Sequence, residues 1–307
     1  RLFYRFLSLL GIALTLAFVG CGDDDDDSGN GTLDQNGQVN ILQGKITSNL
    51  TLKADRQHLL RGGVFIEDGA TLTVEPGTTI FGEGATNGTL VIARGGKIIA
   101  DGTAAKPIVF TSDQPPGARG RGKWGGLIIN GRAPINQGAE AFGEGDTGAY
   151  GGNNPNDNSG VLRYVRVEFA GIEFSPDNEL NGIAFQGVGA GTKVEYVQVH
   201  FNQDDGIEMF GGTVNVKYAL VTGARDDSFD WTDGWTGKGQ FWIGQQRGDD
   251  ADNGFEVDNS KKDNEAKPRS NATVYNVTLV GDPKGPESAN GMLLREGTAG
   301  IFRNIIV

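Results

Sequence analysis

Residues 181–221 read NGIAFQGVGAGTKVEYVQVHFNQDDGIEMFGGTVNVKYALV, and they state one pattern twice. "NGIAF" at Asn181 returns as "DGIEM" at Asp205. "VEYVQV" at Val194 returns as "VKYALV" at Val216. Working outward, the first phrase recurs as "DSFDW" at Asp227, "NGFEV" at Asn253 and "NGMLL" at Asn290, in steps of 24, 22, 26 and 37 residues. The second recurs as "LRYVRV" at Leu162, "VYNVTL" at Val274 and "IFRNII" at Ile301. An upstream pair, "VFIEDGATLTV" at Val64 and "LVIARGGKIIA" at Leu90, lies 26 residues apart.

Periods in the low twenties, filled with short β-rich runs, predict a solenoid whose coils bury their apolar faces only by stacking. Side chains alternate along a strand, so inward positions follow from the register. One predicted inward ladder is Ile183, Ile207, Phe229, Phe255 and Met292. The other is Phe185, Met209, Trp231, Val257 and Leu294. All ten are apolar. The expected fold is therefore all-β, a right-handed parallel β-helix solenoid over residues 41–307, read as truncated at its C-terminal end. A β-propeller blade needs about four strands in roughly 40 residues and fits poorly. Asn181, Asp205, Asp227, Asn253 and Asn290 form a column of expected corner residues, suited to tight turns and left-handed backbone. "PPGARGRGKWGG" and "FGEGDTGAYGGNNPNDNSG" read as looped insertions.

Composition agrees. The chain has 50 glycines, 10 prolines, 2 histidines and 1 cysteine in 307 residues. That excludes a disulfide framework and a cysteine-rich zinc cluster. A net charge of −12 argues against nucleic-acid binding through charge.

The first 20 residues have a secretory layout, with Arg1 and Arg5 ahead of an apolar run from Phe6 to Val19. We expect a signal helix there. "FVGC" closes it and resembles a bacterial lipobox, with Phe18 in place of the usual Leu. The resemblance implies acylation of Cys21 and a membrane anchor. Residues 21–40, with Asp23 to Asp27, read as a hydrated flexible tether. Acidic residues directly after the cysteine resemble the surface-export signal of Bacteroidetes-type lipoproteins. They imply an outer-membrane, surface-exposed location.

The long central stretch, from "KPIVFTSDQPPGARGRGKWGGLIINGRAP" through "YGGNNPNDNSGVLRYVRVEFAGIEF" to "NGFEVDN", resembles bacterial exported lipoproteins with pectin-lyase-like β-helix domains. The resemblance implies a fold and an envelope location, and no established reaction.

Three consecutive coils carry "DDGIE", "DDSFD" and "DNGFE". Glu208, Asp230 and Glu256 follow the first inward residue and are expected to point outward. Asp204, Asp226 and Asp252 form a second column. Like charges in register on stacked strands destabilise the sheet. The alternatives are a bound cation such as Ca²⁺, protonation, or pairing with Arg225, Lys238 or Arg247. Carboxyl groups about 5 Å apart also suit retaining glycoside hydrolysis, which makes Glu208, Asp230 and Glu256 catalytic alternatives. "NQDDGI" resembles the acid pair of polygalacturonases, but their Gly-His-Gly and Arg-Ile-Lys motifs are missing. His200 reads as a surface histidine. Trp235, on a presumed loop, and Phe210, beside the acids, are candidate sugar-stacking platforms. The leading functional expectation is non-catalytic adhesion or binding of a surface glycan. A polysaccharide lyase or hydrolase and a purely structural envelope protein are the alternatives.

Overall fold

The computed structural model describes residues 32–33, 37–175, 178–283 and 290–307. The expected signal helix, Cys21 and Asp23 to Asp27 lie outside the described residues. The described residues form a prism of three parallel β-ladders, with Thr32–Leu33 paired antiparallel to Val39–Ile46 at its start. Successive coils hydrogen-bond along each ladder, about 4.8 Å apart.

The first face is built from short strands: Thr89–Ile92, Leu127–Asn130, Ile183–Gln186, Ile207–Phe210, Phe229–Thr232, Asn253–Val257 and Asn290–Leu294. All pair in parallel with the coil before. Ile183, Ile207, Phe229, Phe255 and Met292 are register partners, as are Phe185, Met209, Trp231, Val257 and Leu294. Both ladders expected from the repeats are present. The last coil is the exception in burial, with Met292 half-buried and Leu294 exposed.

The second and third faces are two arms of the same long strands: Gly160–Glu168, Lys193–His200, Asn215–Thr222, Lys238–Gln245, Asn271–Val280 and Ala299–Ile306. Each strand bends at one left-handed residue. These are Tyr164, Tyr196, Tyr218, Phe241, Asn276 and Asn304, with φ between 50° and 60°. Left-handed backbone is costly for bulky residues. Stacking across coils offsets the cost. Ring centroids of Tyr164 and Tyr196 lie 4.5 Å apart, those of Tyr196 and Tyr218 4.3 Å, and those of Tyr218 and Phe241 5.1 Å. Asn304 Nδ2 then donates to Asn276 Oδ1 at 2.9 Å. The repeat phrases were expected to be plain strands, so this corner is a finding. The last phrase also shifts by one residue, because Val274 pairs with Phe302 and not Ile301.

The described C-terminal coils have an aromatic interior. Trp231, Trp235, Trp242, Phe229 and Phe255 are all fully buried. Trp235 and Trp242 lie 6.3 Å apart with planes 18° from parallel, and Phe229 stacks on Trp242 at 4.6 Å. So much ring volume requires small neighbours. Gly239 takes the inward position that Val216 and Val274 hold on adjacent coils. A Cβ there would lie 2.5 Å from Trp242 Cζ2.

Two insertions lie over the outside of the first face; the first contains the expected loop beginning at Phe142, and the second is not among the loops expected from the sequence. Residues 131–159 carry an antiparallel pair, Ala141–Phe142 with Ala149–Tyr150. Residues 169–182 carry a second, Glu173–Ser175 with Asn178–Glu179. They meet where Gly145 N–H donates to Asn178 Oδ1 at 2.8 Å. Beneath them Val91, Ile128, Leu180 and Ala184 form a small second core, with Phe65, Ile172 and Phe210 against it.

Substituting Gly239→Ala is expected to lower stability by roughly 1–3 kcal/mol, the usual cost of overpacking. Pairing it with Trp242→Leu should give a cost clearly below the sum of the two single changes. Chemical denaturation of the four chains checks this. Additive losses would mean that Gly239 does not make room for the Trp242 ring.

Candidate acidic site on the first face

The outer positions of the first face form one column down the solenoid. Phe65, Val91, Ile128 and Ala184 come first, then Glu208, Asp230 and Glu256, then Leu293. The column thus changes from apolar to acidic at Glu208. Outward direction does not mean exposure here. Glu208 is only 7% exposed although it points outward as expected. Asp230 and Glu256 are half-buried.

The corner column runs alongside. Asn181, Asp205, Asp227 and Asn253 are buried, and none has a left-handed φ. They act as corners by bridging coils instead. Asp205 Oδ1 accepts the Asp227 N–H at 2.9 Å, and Asp227 Oδ1 accepts the Asn253 N–H at 2.6 Å. Asn290 Nδ2 donates to Asn253 Oδ1 at 3.1 Å. Each carboxylate therefore spends one oxygen on the backbone of the next coil.

The two columns merge. Four triads each bring one ligand oxygen per residue within 4.8 Å of the others: Asp204–Asp205–Asp226, Asp205–Glu208–Asp230, Asp226–Asp227–Asp252 and Asp227–Asp230–Glu256. All six acids singled out in the sequence are brought together. Asp205 and Asp227, read there as turn formers only, link them. The doubled "DD" was the available signal.

Counter-charge is scarce within the stack. Arg225 pairs with Asp250 at 3.0 Å, and Arg247 with Asp249 at 3.1 Å. Arg121, from the loop of residues 113–126, reaches across to Asp249 and Asp250. Lys238 is exposed on the second face. Of the alternatives, pairing of the stacked acids with Arg225, Lys238 or Arg247 is not made among the described residues. Among the described residues no salt bridge reaches Asp204, Asp205, Glu208, Asp226, Asp227 or Asp230. Glu256 differs, since Arg295 Nη2 donates to it while Arg295 Nε donates to Asp258 at 2.9 Å. Glu208 Oε2 accepts from Asn181 Nδ2. Asp230 Oδ1 is withdrawn from solvent and accepts no hydrogen bond.

Burial and mutual repulsion raise the acids together. Burial, then Asp226, lifts Asp204 to about 7. Burial, then Asp226 and Glu256, lifts Asp227 to about 8. Burial lifts Glu256 to about 7 against the pull of Arg295. Asp205, Glu208 and Asp230 stand well above the ordinary carboxylate range, first from burial and then from neighbouring acids. Asp226 is raised by burial and by Asp252.

The stacking candidates fare differently. Trp235 is 0% exposed, and its Nε1 donates to Val214 O at 3.1 Å across the core. It is not a surface platform, and that expectation is corrected. Phe210 is half-buried, with the Tyr150 ring centroid 6.3 Å away. His200 sits on the third face, with Nδ1 2.7 Å from Thr222 Oγ1.

A family model described as "Pectate-lyase like beta helix domain" matches residues 44–307. The chain belongs to that family. No curated protein and no solved structure matched.

The raised acids give the cation-free protein a distinctive pH dependence. A carboxyl whose folded pKa lies above its unfolded value near ~4 binds more protons when folded. Its contribution is complete below the unfolded value and is lost as pH rises through the folded one. The relevant window ends at about 7 for Asp204 and Glu256 and about 8 for Asp227. In EDTA, the melting temperature should therefore fall from pH 5 to pH 8.5. Asp230→Asn should flatten that fall. A melting temperature that rises over this range would contradict the picture of crowded, unneutralised acids.

Proposed function

We propose that this chain is a non-catalytic binding protein of the bacterial cell envelope, anchored through a lipid on Cys21. Its acidic stack would hold a divalent cation of the Ca²⁺ class. The observation that carries the cation is the orphaned Asp230 Oδ1, buried without a hydrogen bond beside Asp205 and Glu208, which no salt bridge reaches among the described residues. A buried acceptor left unsatisfied is costly, and a hard cation satisfies several such oxygens at once. The donor set is all oxygen, which suits Ca²⁺ over softer metals. Asp205, Glu208 and Asp230 would hold the ion, with Asp204, Asp226, Asp227, Asp252 and Glu256 setting the surrounding potential.

A bound cation would join two successive coils, those of Glu208 and Asp230, without chemistry on a substrate. The hydrolytic alternative has less support. Glu208 is buried and tied to Asn181, whereas an acid–nucleophile pair needs access to a glycosidic bond. A surface glycan remains the proposed class of partner. It rests on the envelope location that the signals at the start of the sequence imply.

Ca²⁺ binding stabilises the folded state by about 2.7 kcal/mol at a hundredfold excess over Kd. Thermal unfolding at pH 7.5 should therefore shift upward with Ca²⁺ and return with EDTA. Glu208→Gln/Asp230→Asn should lose the shift. Identical midpoints with Ca²⁺ and EDTA in the unaltered protein would sink the cation reading. Metabolic labelling with a fatty acid tests the anchor, with Cys21→Ser expected to abolish incorporation.

A further inference from the structure

Of the four triads, two share Asp226 and contain no buried oxygen without a partner, while the other two lie one coil apart and share Asp230, whose Oδ1 is unpartnered. The inner one is Asp205–Glu208–Asp230, and the outer one is Asp227–Asp230–Glu256. By register they are copies, because Glu208 pairs with Asp230 and Asp230 pairs with Glu256. A chain that binds a cation in one would be expected to bind in both. The surroundings, however, break the symmetry.

At the inner triad two buried oxygens lack partners, one on each coil flanking Glu208. Asn181, only 2% exposed, gives its Nδ2 to Glu208 and leaves Oδ1 without a hydrogen bond. Asp230 Oδ1 is equally unpartnered. Three carboxylates and a carboxamide oxygen from three successive coils are the kind of donors a hard cation takes. At the outer triad a cation is already in place. Arg295, one coil farther along, holds Asp258 with Nε at 2.9 and 3.0 Å from its two oxygens. Its Nη2 donates to Glu256 Oε1. Its backbone N–H donates to Val257 O at 3.0 Å, which seats it beside the same strand. A guanidinium in that position repels a second divalent ion and takes up one of the two Glu256 oxygens.

We infer that Arg295 is a built-in counter-ion that closes the outer triad, so that the stack takes one divalent cation, at Asp205–Glu208–Asp230, and not two. The inference rests on the cation-binding reading above. It adds a residue that sets the number and position of the ions. No signal in the sequence reading pointed to Arg295.

Isothermal titration of the full chain with Ca²⁺ at pH 7.5 decides the matter, with stoichiometry as the readout. The unaltered protein should bind one ion. Arg295→Met, which keeps the aliphatic stem and removes the charge, should bind two. Glu256→Gln added to Arg295→Met should return the number to one. Arg295→Gln replaces Arg295→Met if far-ultraviolet circular dichroism shows the latter misfolded. Two ions in the unaltered protein, or one in the folded Arg295 variants, would overturn this inference and leave cation binding standing. No binding by the unaltered protein would overturn both.

Discussion

Each coil lies about 4.8 Å above the last and hydrogen-bonds to it in strict register. That spacing governs the rest of the molecule. Whatever a side chain does on one coil, it does directly beneath its counterpart on the next. For apolar residues the arrangement is favourable without further adjustment, and the two inward ladders of the first face fill a continuous core. For rings at a corner it gives face-to-face stacking. For carboxylates it gives repulsion that grows with every added coil, unless something intervenes.

The aromatic corner shows how the repeat turns a local cost into a collective gain. A single tyrosine in the left-handed region is unfavourable. Three tyrosines and a phenylalanine in succession support one another through ring contacts between 4.3 and 5.1 Å. Where the rings stop, Asn276 and Asn304 continue the same backbone with a side-chain hydrogen bond in place of stacking. Asparagine tolerates this conformation by itself. The bend between the second and third faces is therefore kept while its chemistry changes.

This also explains which features were legible in the sequence. Inward positions were, because period-two alternation combined with a repeat leaves one consistent register. The ten residues of the first-face ladders pair as the repeats require. The convergence of Asp204, Glu208, Asp226, Asp230, Asp252 and Glu256 followed from the same register. What could not be read comes from parts that do not repeat. Glu208 is buried beside insertions whose course no period predicts. Trp235 lies among turn formers in "WTDGWTGKG", yet its indole crosses the core to Val214, a contact between coils with no local mark. Asp205 and Asp227 fit the turn-former pattern, which concealed their second role as bridges to the next coil. Arg295 escaped notice because its partners are on another coil.

The outer column of the first face separates what the fold requires from what it tolerates. Ala184 precedes the acids and Leu293 follows them at equivalent positions, so coil geometry accepts apolar residues there. Phe65, Val91 and Ile128 continue the apolar run upstream, and the insertions cover part of it with a second small core. An uncharged column would stack without repulsion along its whole length. The described structure instead places eight carboxylates on three coils and neutralises only the last of them with an arginine. Local departures from stable packing concentrate where a protein does something other than fold. The acids at Glu208 and Asp230 are such a departure, since neither backbone register nor core packing calls for them.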